Sequence, residues 1–173
     1  MKSILKYLLY AVLGFLFIGC FLPGSLFIEK QIEIAAPASK IYPQIADGKQ
    51  WKNWSPWHAS DPQAAYQYSE PSAGLGSWYS WKGDKTGTGK STIIDTLTNQ
   101  KLRLKIEFGG STSSFSDFSF KENAGKTQVR WTLEDDLGWN PLGRWFSFVF
   151  LKRMLNQQYD EGLKNLKTVC EKS

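Results

Sequence analysis

The sequence predicts an α+β domain, a curved antiparallel β-sheet wrapped around a long C-terminal helix, preceded by an N-terminal transmembrane helix. Three observations carry this expectation. Residues 4–22 are apolar except for Lys6. Between Tyr66 and Leu133 the apolar residues recur with a period of two, as half-buried strands require. From Pro141 onward they recur at helical spacing. The order of one strand, short helices, a run of strands and one long helix is that of a segregated α+β architecture. Residues 1–24 are therefore expected to form the anchor, or an uncleaved signal-like segment, and residues 25–173 a single domain.

The leader, ILKYLLYAVLGFLFIGCFL, is about 19 residues long, close to the roughly 20 that a membrane-crossing helix needs. Lys6 can snorkel to the interface. Lys2, Lys6 and the terminal amine precede the run, whereas Glu29, Lys30 and Glu33 follow it with little net charge. The excess of cations on one side places the N-terminus in the cytoplasm and the domain outside, on a single-pass protein of the cell membrane. Two alternatives stand. A cleaved signal peptide would use the partial site at Gly19-Cys20. A lipoprotein would be lipidated at Cys20, after a lipobox-like Phe17-Ile18-Gly19. Against the latter, Phe17 is large and Phe21-Leu22-Pro23-Gly24 is not a polar tether.

The strands and helices follow in order. Leu26 to Ile34 alternates, with Ile28, Lys30, Ile32 and Ile34 on one side. Ala35-Ala36-Pro37 stops it. Ser39 is placed to cap a helix through Ile45, which Pro43 should keep short or kinked. Trp51 and Trp54 share a face of one turn, and Ser55-Pro56 ends it. Strands are expected at Tyr66–Ser69, Ser77–Lys82, Ser91–Leu97, Leu102–Phe108, Phe115–Lys121 and Thr127–Leu133, the last two joined by a turn around Asn123-Ala124-Gly125. Asn140-Pro141 opens the long helix, with Gly162 as the place where it can bend.

Size and charge exclude some functions. The 173 residues carry a formal charge of +5, spread among acidic neighbours with no basic run, so no nucleic-acid partner is expected. Cys20 and Cys170 are not expected to pair. His58 is the only histidine, so no metal site is expected, and its plain reading is a capping or surface residue. No GxSxG elbow is present. Asp135-Asp136 and Glu70 are acid/base candidates whose plainer reading is solvated turn residues. The segment GDKTGTGKST (83–92) ends like a phosphate-binding P-loop, but the required first glycine falls on Asp84, and the β-branched residues that follow read as a strand. It is expected to be a hairpin tip, without a nucleotide. No cofactor and no catalytic residue are assigned.

A set of marks, weak singly but specific in order and spacing, runs from Phe21 to Lys172: FLPG at 21–24, IEIAAPASKIY at 32–42, WKNWSPW at 51–57, DPQAAYQYS at 61–69, GLGSWYSWKG at 74–83, TQVRWTL at 127–133 and EGLKNLK at 161–167. In these the chain resembles the START-like superfamily of polyketide cyclase/dehydrase and lipid-transport proteins with the helix-grip fold, in a membrane-anchored form. Pro43 departs from the pattern, where relatives run an uninterrupted helix, and puts the shape of one cavity entrance in question. The resemblance implies a hydrophobic cavity between the sheet and the C-terminal helix.

Aromatic residues make up 15% of the chain, consistent with either a lined cavity or a bulky filled core. The expected ligand-lining set is Trp54, Trp57, Tyr79, Trp81, Leu104, Ile106, Phe108, Phe118, Phe120 and Trp131, faced by Phe146, Phe150 and Met154 on the long helix. Tyr79, Ser116 and Arg103 or Arg130 would supply polar groups. The expected function is a membrane-tethered domain that binds a small hydrophobic or lipid-like ligand. The alternatives are a cyclase- or isomerase-type enzyme using the same cavity, and a membrane-proximal protein-interaction domain using Trp51, Trp54 and Trp57.

Overall fold

A computed structural model describes residues 2–109 and 112–172. Met1, whose amine counts toward the leader's charge, and Ser173, the last residue of the expected domain, lie outside the described residues. The leader forms α1 (Lys2–Phe21), long and apolar enough to cross a membrane and almost wholly exposed. After the Pro23-Gly24 break come β1 (Ser25–Ile34), α2 (Ala38–Ala46), a 3-10 turn (Gly48–Asn53) and α3 (Pro56–Ser60). Six further strands follow: β2 (Ala65–Tyr68), β3 (Trp78–Gly83), β4 (Gly87–Leu97), β5 (Lys101–Phe108), β6 (Thr112–Asn123) and β7 (Lys126–Asp136). The chain ends in α4 (Pro141–Phe146), a π turn (Ser147–Leu151) and α5 (Lys152–Lys172), one helix without a break.

The seven strands form one antiparallel sheet in the order β1-β7-β6-β5-β4-β3-β2. This is the helix-grip arrangement: α5 lies along β1, with Lys30 paired to Asp160 at 2.7 Å, Lys167 Nζ donating to the Glu33 carbonyl and Glu171 accepting from the Ala35 amide. The alternation in β1 and β7 places Leu26, Ile28 and Ile34 beside Val129, Trp131 and Leu133 on the concave face, all buried. On α5 the buried face is Tyr159, Gly162, Leu163, Leu166 and Cys170.

Local details depart from the sequence expectations in three places. The residue capping α2 is Pro37 rather than Ser39, because the helix begins two residues earlier than expected, at Ala38, and among the described residues no side chain caps it. Pro43 sits inside α2, which is nine residues long, the short helix expected. Ser55-Pro56 ends the tryptophan turn and also opens α3, with Pro56 in the first helical turn, where its missing N–H costs nothing. The long helix does not give way at Gly162. That residue brings α5 against the indole of Trp131 and the ring of Pro56, where an added Cβ would lie 3.0 Å from Trp131 and 3.3 Å from Pro56. The irregularity lies instead at the π turn, where the Lys152 amide bonds to the Ser147 carbonyl.

The GDKTGTGKST segment is a hairpin. Gly83 pairs with Gly87, and the glycine-rich half belongs to β4. The Asp61 carboxylate accepts hydrogen bonds from the Lys85 amide (2.9 Å), the Thr86 amide (3.0 Å) and the Thr86 hydroxyl (3.0 Å). These bonds, those from the two amides first, hold the Asp61 pKa below its usual value. A carboxylate of the chain thus occupies the amides that would face a phosphate in a P-loop. Gly83 leaves room for it, since a Cβ there would fall on the Asp61 carboxylate oxygen.

Candidate functional site

The register of the sheet sorts the expected ligand-lining residues into rows across the concave face. Tyr66, Trp81, Gly89 and Phe108 stand opposite one another on β2, β3, β4 and β5; the next row is Tyr68, Tyr79, Ser91, Ile106 and, on β6, Ser114. Behind them lie Ile93, Leu104, Ser116 and Leu133. The 3-10 turn and α3 bring Trp51, Trp54, Trp57 and His58 over these rows, while α5 brings Tyr159.

The inner rows are filled. Trp131 stacks on Tyr159 at 3.9 Å between centroids and on Phe118 at 4.8 Å, and meets Trp54 and Trp57 edge-on at 5.6 and 5.9 Å. Trp51 packs on Trp54 at 4.5 Å. Three of these four indole N–H groups have a fixed acceptor: Trp51 the Ile45 carbonyl, Trp54 the Gln44 carbonyl and Trp131 the Ser116 hydroxyl. Burial raises the Tyr159 pKa, partly offset by its bond to Ser116. The cavity beneath Trp51, bounded by Tyr79, Ser91, Ile93 and Leu104, is about 10 Å³. That is space for about one water molecule. Trp54, Leu104, Phe118, Phe120 and Trp131 are therefore packed core in this structure.

The outer rows are only half-covered. Trp57, Tyr79, Trp81 and Ile106 are partly exposed and Phe108 is exposed. The Trp81 indole lies across Gly89, where any Cβ would strike it, and meets Phe108 edge-on at 5.7 Å. His58 stacks on Tyr66 at 4.1 Å. Both ring nitrogens of His58 are shielded from solvent and have no hydrogen-bond partner among the described residues. Burial lowers its pKa to about 4, so the imidazole is neutral at physiological pH. Burial also pushes the Tyr66 phenol up to about 12 and raises that of Tyr79. The rim thus offers aromatic faces, neutral phenols and a neutral imidazole able to give one hydrogen bond and accept another.

The remaining expected residues fall elsewhere. Phe146, Phe150 and Met154 do not face the sheet; they are 56%, 65% and 45% exposed. The face turned inward carries Arg144, Ser147, Leu151, Leu155 and Tyr159, because the π turn keeps that series in phase. The polar groups also differ from expectation. Ser116 donates to the Thr132 carbonyl while accepting from Trp131. Arg130 and Arg103 stand on the opposite face of the sheet, Arg130 bonded to Glu29 and Arg103 near Asp117 and Glu134. The sequence reading missed Tyr159 and placed His58 as a capping or surface residue. The odd-even pairing of Tyr66 and Tyr68 with Trp81 and Tyr79 was the available signal for that corner.

Among the described residues no three His, Cys, Asp or Glu side chains converge in a way that could hold a metal. A family model described as polyketide cyclase/dehydrase and lipid transport matches residues 27–171. No curated protein matches the sequence. Many solved structures share the fold. A protein of unknown function from Staphylococcus aureus superposes with a TM-score of 0.64 at 11% identity, covering 86% of this chain and 96% of its own. The Aha1 dimer from Colwellia psychrerythraea gives 0.61 at 19% identity, covering 84% and 96%. A conserved protein of unknown function from Enterococcus faecalis gives 0.60 at 13% identity, covering 86% and 72%. At these identities the likeness establishes the fold.

Proposed function

We propose, on the premise that this chain belongs to the polyketide cyclase/dehydrase and lipid transport family, that it is a membrane-tethered domain binding a small apolar or lipid-like ligand on the outer aromatic rows. One observation carries the reading. A half-covered aromatic surface surrounds an imidazole whose two nitrogens are shielded and have no partner among the described residues. Buried polar atoms are normally satisfied, so an orphaned pair beside greasy rings marks a place where a ligand atom completes the set.

In this reading Trp57, Tyr79, Trp81, Ile106 and Phe108 touch the ligand, and His58 fixes its polar end. Trp54, Leu104, Phe118, Phe120 and Trp131 form the rigid floor beneath. The phenols and imidazole of the rim are uncharged at neutral pH, which suits a hydroxyl or carbonyl on an otherwise apolar molecule better than an ionic group. The rim also sits at the end of the sheet from which α1 departs. Phe108 is the last residue of β5, and β1 begins beside Asp136 at the same end. That placement favours a ligand arriving from the bilayer.

The test uses the full chain in detergent, with a naphthalene-sulfonate dye as probe and decanol and decanoate as competitors. The wild type is expected to enhance dye emission, and decanol to displace the dye better than decanoate. His58→Phe should remove decanol's advantage while leaving dye uptake in place, and Trp81→Ala should lose the uptake. A wild type that takes up no dye and carries no lipid in native mass spectrometry would end this proposal.

A further inference from the structure

The apolar residues of the long helix that turn away from the sheet form a second surface. Leu142, Phe146, Val149, Phe150 and Met154 recur at spacings of four, three, one and four, which puts them along one side of the helix. All five are exposed, as are the neighbouring Trp139 and Phe148. Such a patch on a freely soluble domain would be an aggregation hazard. Here its neighbour is α1. Gly19 is the point of contact: a Cβ there would stand 2.8 Å from Pro141 and 2.9 Å from Trp145. The Trp145 indole stacks on Phe15 at 4.8 Å and donates to the Phe15 carbonyl at 2.9 Å. Arg144 fastens the same junction by donating to the carbonyls of Cys20, Leu22 and Gly138.

These contacts fix the height of the helix relative to α1. Gly19 lies two residues before the end of α1, or about 3 Å along its axis, and Phe15 about 9 Å. A helix lying in a bilayer interface buries its apolar face about 5–10 Å into the boundary between headgroups and acyl chains. Lys152 and Arg153, both exposed, end the apolar stretch where cations can reach lipid phosphates. Trp139 and Trp145 are residues of the kind that settle at that boundary.

We propose that residues 139–154 are a second membrane-contacting element, which lies in the interface of the bilayer that α1 crosses and immerses Leu142, Phe146, Val149, Phe150 and Met154 among the acyl chains. The inference rests on reading α1 as a membrane-spanning helix. It assigns Phe146, Phe150 and Met154 to lipid contact rather than to an internal cavity. It also holds the domain at one height and orientation, with the outer aromatic rows at the membrane end.

The full chain carrying Cys20→Ala is reconstituted into vesicles of phosphatidylcholine and phosphatidylglycerol. A nitroxide is attached in turn at Phe150→Cys, Leu9→Cys and Lys164→Cys, and its collisions with oxygen and with a water-soluble nickel chelate are compared. Val149→Cys gives an independent reading of the same face should Phe150→Cys fail to fold. The expected result is loss of nickel collisions and gain of oxygen collisions at 150 or 149 as at 9, with the reverse at 164. Nickel access at 150 and 149 while 9 is immersed overturns the proposal and leaves the anchor standing. Nickel access at 9 removes the anchor and the proposal with it. Shielding of 150 and 149 from both reagents would mean that a protein surface, such as a second copy of this chain, covers the face, and it overturns the proposal as well.

Discussion

Replacing Trp131 with alanine removes the ring around which the interior is assembled. Its indole touches the rings of Trp51, Trp54, Trp57, Phe118 and Tyr159, and its N–H bonds to Ser116 at 2.7 Å. A buried Trp→Ala change costs about 3–5 kcal/mol in transfer and cavity terms. The lost N–H···O bond adds about 1 kcal/mol. Relaxation is limited, because the neighbours hang from four different elements: β6, α5, α3 and the 3-10 turn. A loss of about 5 kcal/mol is therefore expected. With a urea slope of about 2 kcal/mol per molar, the midpoint of domain unfolding falls by about 2.5 M. The full chain in detergent, followed by near-ultraviolet circular dichroism, gives the measurement. The void should also bind benzene, as apolar cavities of comparable size do. A midpoint displaced by less than about 0.5 M would refute the reasoning, because it would mean that Trp131 borders open space.

The other two predictions concern the rim and the junction. The folded-state pKa of His58, lowered to about 4 by burial, lies below the unfolded value of 6.5. Above pH 6.5 the residue is neutral in both states and contributes no pH dependence; as pH falls from there toward 4 the unfolded chain binds the proton first, and stability is lost. Its partial exposure limits the loss to at most about 2 kcal/mol, and His58→Phe should flatten this part of the curve in parallel urea titrations of the two proteins. Identical slopes would contradict the burial argument. Arg144→Met deprives three carbonyls of their donors, so local opening at the junction should become easier by about 3 kcal/mol, or roughly a hundredfold. The Leu137 amide, bonded to the Gly24 carbonyl, reports this by hydrogen exchange. Unchanged protection there would show that the guanidinium does not hold the junction.

The sheet was readable because one face of each strand is wet. Leu102, Leu104 and Ile106 alternate with Arg103, Lys105 and Glu107, and the observed register keeps that separation. β4 proved longer than expected because its first residues, Gly87-Thr88-Gly89-Lys90, hold two glycines and no apolar side chain, and so carry little strand signal until they pair with β3. The helix was readable as a helix but not in its surroundings. Periodicity marks which residues share a face, whereas Phe146 and Leu163 look equally apolar in sequence although only Leu163 is buried. Whether the aromatic residues line space or fill it was also beyond the sequence. That outcome depends on how deeply Trp51 and Trp54 descend from the 3-10 turn, and their carbonyl partners at Ile45 and Gln44 set the depth. His58 looked ordinary because its isolation comes from Tyr66, which joins it only in the folded chain.

The π turn at Ser147–Leu151 has a consequence for how this helix tolerates change. Going back from Tyr159, the inward residues Leu155, Leu151 and Ser147 are each four positions apart, a spacing that drifts around a regular helix by about 40° per step. The wider turn absorbs that drift, so Arg144 still reaches the carbonyls at the end of α1 while Tyr159 stays under Trp131. Removing one residue from this turn would restore a regular helix and swing everything upstream by about 100°. Arg144 would lose its carbonyls, and Phe146 and Phe150 would point in a new direction, although no side chain had been altered. The single surplus residue thus works as a phase adjuster between two apolar stripes on one helix, and length within 147–151 matters there more than residue identity.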